Sequence, residues 1–259
     1  MQAVGCVEID DLSIRFASPQ GREVVAVETT DLRLEPGSFT ALIGPSGCGK
    51  STILNAIAGF VSPSSGSICV DGKAVTGPDP EVGVVFQQYA LFPWFTAIGN
   101  VKFALKRFRL GREELQRQAH EALKEVGLGD RASAYPGQLS GGMKQRVALA
   151  RTFASKPKVL LMDEPFGALD AQTRISMHEL LLRIWDAHRT TVLFVTHDVD
   201  EALLLSDRVF VMSEGPGRII DSFEVQSDRP RVVDQVDEHF VANRNRITKL
   251  LRQSHADSI

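Results

Sequence analysis

Cysteine is scarce. Cys6, Cys48 and Cys69 are the only three in 259 residues, and they form neither a paired framework nor a C-x-x-C zinc pattern. That excludes a disulfide-stapled scaffold and points to a reducing compartment. Long apolar runs are missing too. Stretches such as 159–162 and 192–195 are strand-sized, well short of the ~20 residues that cross a bilayer. Residues 1–5 lack a basic segment followed by an apolar one, so no secretory signal is expected. Excess charge is absent: 29 basic and 32 acidic side chains give a net charge of −3 and a pI near 6.1. The chain therefore lacks the basic footprint of a nucleic-acid binder. There is no internal repeat and no low-complexity segment. What remains, 43% hydrophobic and 24% charged, is the composition of a globular protein with one large core or two small ones.

Against that background stands Gly44-Pro45-Ser46-Gly47-Cys48-Gly49-Lys50-Ser51, a G-x-x-x-x-G-K-[ST] phosphate loop. The apolar run 39–43 before it reads as a buried strand. Residues 52–58, beginning with Thr52, read as a helix. Strand, glycine loop and helix are the context the motif requires. Glycines allow close backbone approach. Successive amides form an anion nest, and the helix N-terminus adds unpaired donors. Lys50 is placed to reach the β- and γ-phosphates of ATP, and the Ser51 hydroxyl to ligate Mg²⁺.

The chain around the loop alternates in character. Residues 7–39 read as β-rich, with turns at Gly21 and at Glu35-Pro36-Gly37. Residues 67–70 read as a strand followed by an Asp71-Gly72 hairpin turn, and 83–87 as another strand. From Tyr89 to about Ser155 the pattern is helical, with segments at 98–107, 113–126 and 143–154. From Lys158 strands and helices alternate again: strand 158–163, helix 172–188, strand 191–196, helix 198–206, and strands 208–213 and 218–225. The end starts extended at Arg229-Pro230 and finishes in an amphipathic helix carrying Phe240, Ile247, Leu250 and Leu251. The pattern predicts an α/β fold: a P-loop (RecA-like) core with an N-terminal antiparallel β subdomain and an inserted α-helical subdomain. Its expected boundaries are 1–86 and 156–227 for the two parts of the core, 87–155 for the insert, and 228–259 for the tail.

Further chemistry falls at strand ends. The run 159–162 ends in Asp163 and Glu164, an acid pair at the edge where parallel sheets bind ligands. Asp163 suits Mg²⁺, and Glu164 suits polarising the attacking water. His197 follows the apolar run 191–196 and could contact the γ-phosphate and position Glu164 and water. Gln87 and Gln88 close a strand before the helical stretch. Position alone does not choose which of them contacts the Mg²⁺ shell or water. Ser140, Gly141 and Gly142 open a helix that Ser140 can N-cap, with two glycines exposing amides to an anion.

In this order these elements resemble the ATPase subunit of an ATP-binding-cassette (ABC) transporter over nearly the full length. Leu139-Ser140-Gly141-Gly142 matches the family signature, with Met143 where Gln is usual. The resemblance selects Gln87 as the Q-loop residue and implies that it joins Ser51 and Asp163 around Mg²⁺. It implies that Asp170, in Ala168-Leu169-Asp170, is the D-loop residue, that His197 is the switch histidine, and that Phe16 is the adenine-stacking aromatic. It further implies two cassettes packed head to tail, most simply a homodimer. Each ATP then lies between residues 44–52 of one copy and Ser140, Gly141, Gly142 and Asp170 of the other. Catalysis would fall to Glu164, His197, Gln87 and Lys50. Transmembrane permease subunits would be the direct partners and a periplasmic or extracellular solute-binding protein an indirect one. The cassette would sit peripherally on the cytoplasmic face of the cell (inner) membrane. The aromatic stretch 89–95, behind Gln87, would suit a permease coupling helix. Similarity at 143–146, 166–174, 215–219 and 229–231 points to the nitrate, taurine and alkanesulfonate importer group; related members serve thiamine precursors. A soluble ABC ATPase acting on nucleic acid or ribosomes is the alternative. No zinc module, long coiled coil or second cassette supports it, and a gel shift would discriminate. A catalytically silent cassette is disfavoured by the presence of Lys50, Glu164 and His197.

Overall fold

Phe39–Ile43 and Thr191–Thr196 are buried along their whole length, as strands covered on both faces must be. A computed structural model describes residues 4–17, 21–227, 229, 231 and 238–256. In chain order the elements are β1 (Val7–Ala17), β2 (Glu23–Leu34), β3 (Phe39–Ile43), α1 (Lys50–Ile57), β4 (Ser65–Val70), β5 (Lys73–Ala74), β6 (Val82–Val85), α2 (Ala97–Leu105) and α3 (Arg112–Glu125). There follow α4 (Gly141–Ala154), β7 (Val159–Asp163), α5 (Ala171–His188), β8 (Thr191–Thr196), α6 (Val199–Leu205), β9 (Arg208–Met212), β10 (Ile219–Glu224) and α7 (Glu238–Ala256). The chain divides into two compact units, Met1–Asp79 with Thr190–Ile259, and Pro80–Arg189.

The first unit holds an antiparallel sheet in the order β2-β1-β4-β5 and the strand run β10-β9-β3-β8. β3 pairs in parallel with β8 (Ile43↔Thr196) and with β9 (Ile43↔Val211), so three carboxyl ends share one edge. β10 adds an antiparallel edge strand with half-exposed residues. α6 packs on β3 and β8, and α7 covers α6 and β9 through buried Phe240 and Ile247. Leu250 and Leu251 are only half-buried. Residues beyond the last strand tie this corner down. Arg229 donates to the Leu205 carbonyl, and Arg231 to the Leu203 and Ser206 carbonyls, satisfying the orphan acceptors at the end of α6. Pro230, part of the expected extended start of the tail, lies outside the described residues.

The second unit pairs β6 with β7 in parallel, Val82↔Val159 to Val85↔Met162, and packs α2, α3 and α4 together. It contains the helical stretch expected at 87–155 together with β6, β7 and α5. Thr96 N-caps α2 through Gly99 N at 3.2 Å, and a 3-10 turn at Lys106–Phe108 follows the helix. Among the boundaries that differ from the sequence pattern, two bear on the site. β6 ends at Val85, because Val85↔Met162 is its last register pair, so Gln87 stands two residues beyond the strand. α4 starts at Gly141, because the Ser140 hydroxyl caps it, so both glycines form its first turn.

Candidate functional site

In the first unit the phosphate loop leaves the carboxyl end of β3 and enters α1. Gly49 is the N-cap, at φ 98° and ψ 8°, a left-handed conformation that glycine adopts without a Cβ penalty. No side chain caps α1, so its first amides remain available to an anion. Lys50 is 5% exposed. Its Nζ donates to the Gly44 carbonyl at 2.8 Å and the Pro45 carbonyl at 2.7 Å, folding the loop around its own ammonium. Ser46, Gly47 and Ser51 are exposed, and Thr52 is half-buried. Cys48 is different. Its Sγ is fully buried, 3.9 Å from Lys50 Nζ, and burial pushes the thiol pKa up although the ammonium pulls it down.

His197 follows β8 and is therefore level with Gly44 in the parallel register. The turn that carries it is fixed on both sides. Thr196 Oγ1 donates to buried Glu201 Oε2 at 2.7 Å and accepts from Asp198 N at 3.0 Å. Asp198 caps α6 through Asp200 N and Glu201 N at 2.9 and 3.1 Å. The His197 side chain itself is exposed. Phe16, on β1 opposite Val24, is 43% exposed, so its ring is a surface platform rather than core.

In the second unit Asp163 ends β7 and Glu164 follows at φ 42°. A left-handed non-glycine residue costs about 1–2 kcal/mol, and such outliers concentrate at functional sites. A Cβ built on Gly167 would lie 3.7 Å from Gln87 Nε2 and 3.8 Å from Glu164 Oε2, so the two side chains converge over this glycine. The start of α4 is similarly crowded. A Cβ on Gly141 would meet Tyr89 Oη at 2.8 Å, and one on Gly142 would meet Thr173 Cγ2 at 2.7 Å. Asp170 caps α5, accepting from Thr173 N at 3.0 Å and Thr173 Oγ1 at 2.7 Å. These hydrogen bonds hold its carboxyl below the usual carboxylate range.

The aromatic stretch is held by a residue that the sequence pattern did not single out. Asn100, fully buried on α2, accepts from Phe92 N at 2.8 Å and donates to the carbonyls of Phe92, Phe95 and Thr96 at 3.1–3.2 Å. Phe92 lies at the centre of a cluster with Trp94, Phe95 and Phe103, ring centroids 4.6–5.6 Å away. Trp94 is 67% exposed and Phe103 45%. The available signal for Asn100 was its place on the buried stripe of Ala97, Val101 and Leu105.

A glycine loop between a buried parallel strand and a helix, with an acid pair at another strand's end, defines a P-loop nucleotide-hydrolysing protein. The chain belongs to the ABC transporter family, whose profile matches residues 27–167. It is 51% identical over 213 residues to the nitrate import ATP-binding protein NrtD of Synechocystis sp., covering 82% of this chain and 80% of that one. It is 47% identical over 228 residues to the bicarbonate transport ATP-binding protein CmpC of Synechococcus elongatus, covering 87% of this chain and 34% of that one. Among solved structures it resembles the ATP-binding cassette MJ0796, a dimer in a post-hydrolysis state bound to ADP and Pi. The TM-score is 0.76 at 31% identity, over 86% of this chain and all of that one. The expected fold is therefore borne out, and the chain is an ATP-binding ATPase subunit of a transporter.

Proposed function

We propose that this ATPase powers uptake of a small inorganic or sulfonate-type anion through a separate permease. The observation that carries the solute class is the extended similarity to proteins named for nitrate and bicarbonate transport. Of the anions expected from sequence, nitrate has that support, while taurine and alkanesulfonates rest on the sequence motifs alone. In this reading two copies assemble head to tail, in keeping with the dimeric MJ0796 cassette. Residues 44–52 of one copy bind the ATP phosphates, and Ser140, Gly141, Gly142 and Asp170 of the other complete the site. Phe16 stacks on adenine, which its exposed ring allows.

The donors offered by Ser51, Gln87 and Asp163 are all hard oxygens, which fits Mg²⁺ rather than a softer metal. Bound there with the phosphates, Mg²⁺ would neutralise charge on the transferring group. Glu164 accepts a proton from the attacking water, and Gln87 and His197 orient water and γ-phosphate. The platform of Trp94 and Phe103 receives a permease segment, which places the chain peripherally at the cytoplasmic face of the membrane. No helix among the described residues is long and apolar enough to cross a bilayer.

The test is ATP hydrolysis by the chain assembled with its permease and binding protein in vesicles. Nitrate or bicarbonate should stimulate turnover, and Glu164→Gln should abolish it while retaining an ATP-bound dimer on size exclusion. Stimulation by none of the anions, with an uncharged solute effective, would overturn the solute class. A monomeric Glu164→Gln chain with wild-type turnover would overturn the assigned base.

A further inference from the structure

We propose that Gly217 is a positioning residue for nucleotide binding, holding the Cys48–Gly49 peptide so that its N–H faces the phosphates. The inference rests on the reading of residues 44–51 as the ATP phosphate cradle.

The connection between β9 and β10 is folded onto β2 by several hydrogen bonds. Gly217 N donates to the Ala26 carbonyl at 3.3 Å, and its own carbonyl accepts from Glu28 N at 2.9 Å. Ile219 N donates to buried Thr30 Oγ1 at 3.2 Å, and within the connection itself Ser213 N donates to the Arg218 carbonyl at 2.9 Å. This anchorage presses Gly217 against the phosphate loop. A Cβ there would lie 1.7 Å from the Cys48 carbonyl oxygen, 2.9 Å from its carbon and 2.7 Å from Met212 Cε. The φ of Gly217 is outside the left-handed region. Left-handed backbone strain is therefore not what bars a side chain there; the phosphate loop itself is. The other flank is also tight, because a Cβ on Gly49 would lie 2.7 Å from the Ala26 carbonyl. β2 and Gly217 thus grip residues 48 and 49 from two sides.

A peptide unit is planar and trans, so its C=O and N–H point in opposite directions. With the Cys48 carbonyl against Gly217, the Gly49 N–H points away from Gly217, and Gly49 is itself the N-cap of α1, which no side chain caps. A flip of this one peptide would replace a donor with an acceptor facing phosphate. Lys50 fixes the Gly44 and Pro45 carbonyls by charge-assisted hydrogen bonds; the Cys48 carbonyl is fixed by packing from a hairpin far along the chain.

The experiment is calorimetric binding of ATP and ADP to the purified full chain, with steady-state hydrolysis alongside. Gly217→Ala should weaken both nucleotides about tenfold or more, the effect of losing one charge-assisted donor. KM should rise in proportion, and kcat at saturating ATP should stay within about twofold. Arg218→Ala, which removes an exposed side chain paired with Glu28 at 3.6 Å, should leave affinity unchanged. If Gly217→Ala does not fold, Thr30→Val loosens the hairpin without adding bulk and should weaken ATP binding about two- to fivefold. A folded Gly217→Ala chain with wild-type nucleotide affinity overturns the proposal. So does wild-type affinity in Thr30→Val when that is the variant that folds. Failure of the unmodified chain to bind ATP would instead overturn the cradle assignment.

Discussion

Replacing Asn100 with aspartate tests the aromatic platform with almost no change of shape. The amide is fully buried and makes four hydrogen bonds to the 92–96 turn, three of them donated by Nδ2. Asn100→Asp puts an oxygen where that nitrogen was, so no cavity forms. The two N–H groups that serve three carbonyls are lost; the Phe92 and Thr96 carbonyls keep backbone donors, Phe95 N at 3.1 Å and Asn100 N at 2.9 Å, while the Phe95 carbonyl loses its amide donor to an acceptor. The cation nearby in the turn's own contacts, Arg151, is engaged by the Ala90 carbonyl at 2.6 Å. Each net bond is worth about 1 kcal/mol and an unsatisfied buried group costs about 1–3 kcal/mol. Two lost N–H groups and one carbonyl left facing an acceptor sum to about 3–5 kcal/mol. At roughly 2–4 °C per kcal/mol, the transition seen by tryptophan fluorescence should fall by about 6–20 °C at neutral pH. The sign of the pH dependence follows. Among carbonyl oxygens the introduced carboxyl has a folded pKa above its unfolded value of about 3.9. The native state then binds its proton more tightly, so the deficit shrinks as pH falls and grows as pH rises through the folded pKa. Protonation also restores one donor. Melting within about 1 °C of wild type at pH 7, or a deficit independent of pH between 4 and 7, would refute the assignment of Asn100 as the clamp.

Two further outcomes are expected. Cys48 should react slowly with iodoacetamide near pH 8 and faster as pH rises, because its thiol is buried with a raised pKa. ATP should protect it, and alkylation should abolish hydrolysis; full activity with Cys48 modification confirmed by mass spectrometry would contradict this. Gln145 is fully buried on α4, and neither of its amide atoms has a hydrogen-bond partner among the described residues. Gln145→Leu should therefore stabilise the second unit by about 1–3 kcal/mol in thermal or urea unfolding. A loss of stability would show that an internal water pairs the amide.

Much of this was legible in the sequence because local pattern and local chemistry agree. The run Phe39–Ile43, the glycine loop and the helix behind it specify one another within twenty residues, and the structure keeps all three. The apolar runs of β7 and β8 were equally plain, since parallel strands buried on both faces have no polar side to confuse the period. What local pattern misplaced was termination. β6 stops at Val85, where its register with β7 ends in the pair Val85↔Met162, and no property of Phe86 or Gln87 announces that end. Cys48 was readable as part of the loop, but the direction of its thiol was not. It turns into the core because Gly44 leaves room against Met212, a residue from another strand.

Asn100 and Gly217 were missed for a common physical reason. A motif lists the groups that meet a ligand, whereas an anion nest works only if its peptide planes face one way, and a docking turn only if its carbonyls are held. Those constraints are imposed by whatever packs behind the backbone. Asn100 does so with four hydrogen bonds from a buried stripe that otherwise calls for an apolar residue. Gly217 does so by having no side chain at all. The different causes of damage expected on substitution follow from this. At Asn100 the loss is of donors, so a smaller side chain also damages the turn. At Gly217 the loss is of space, so any side chain damages the loop, whereas removing the exposed Arg218 side chain does not. Weakened nucleotide binding in Gly217→Ala beside unchanged binding in Arg218→Ala would separate steric positioning of one peptide from general hairpin stability.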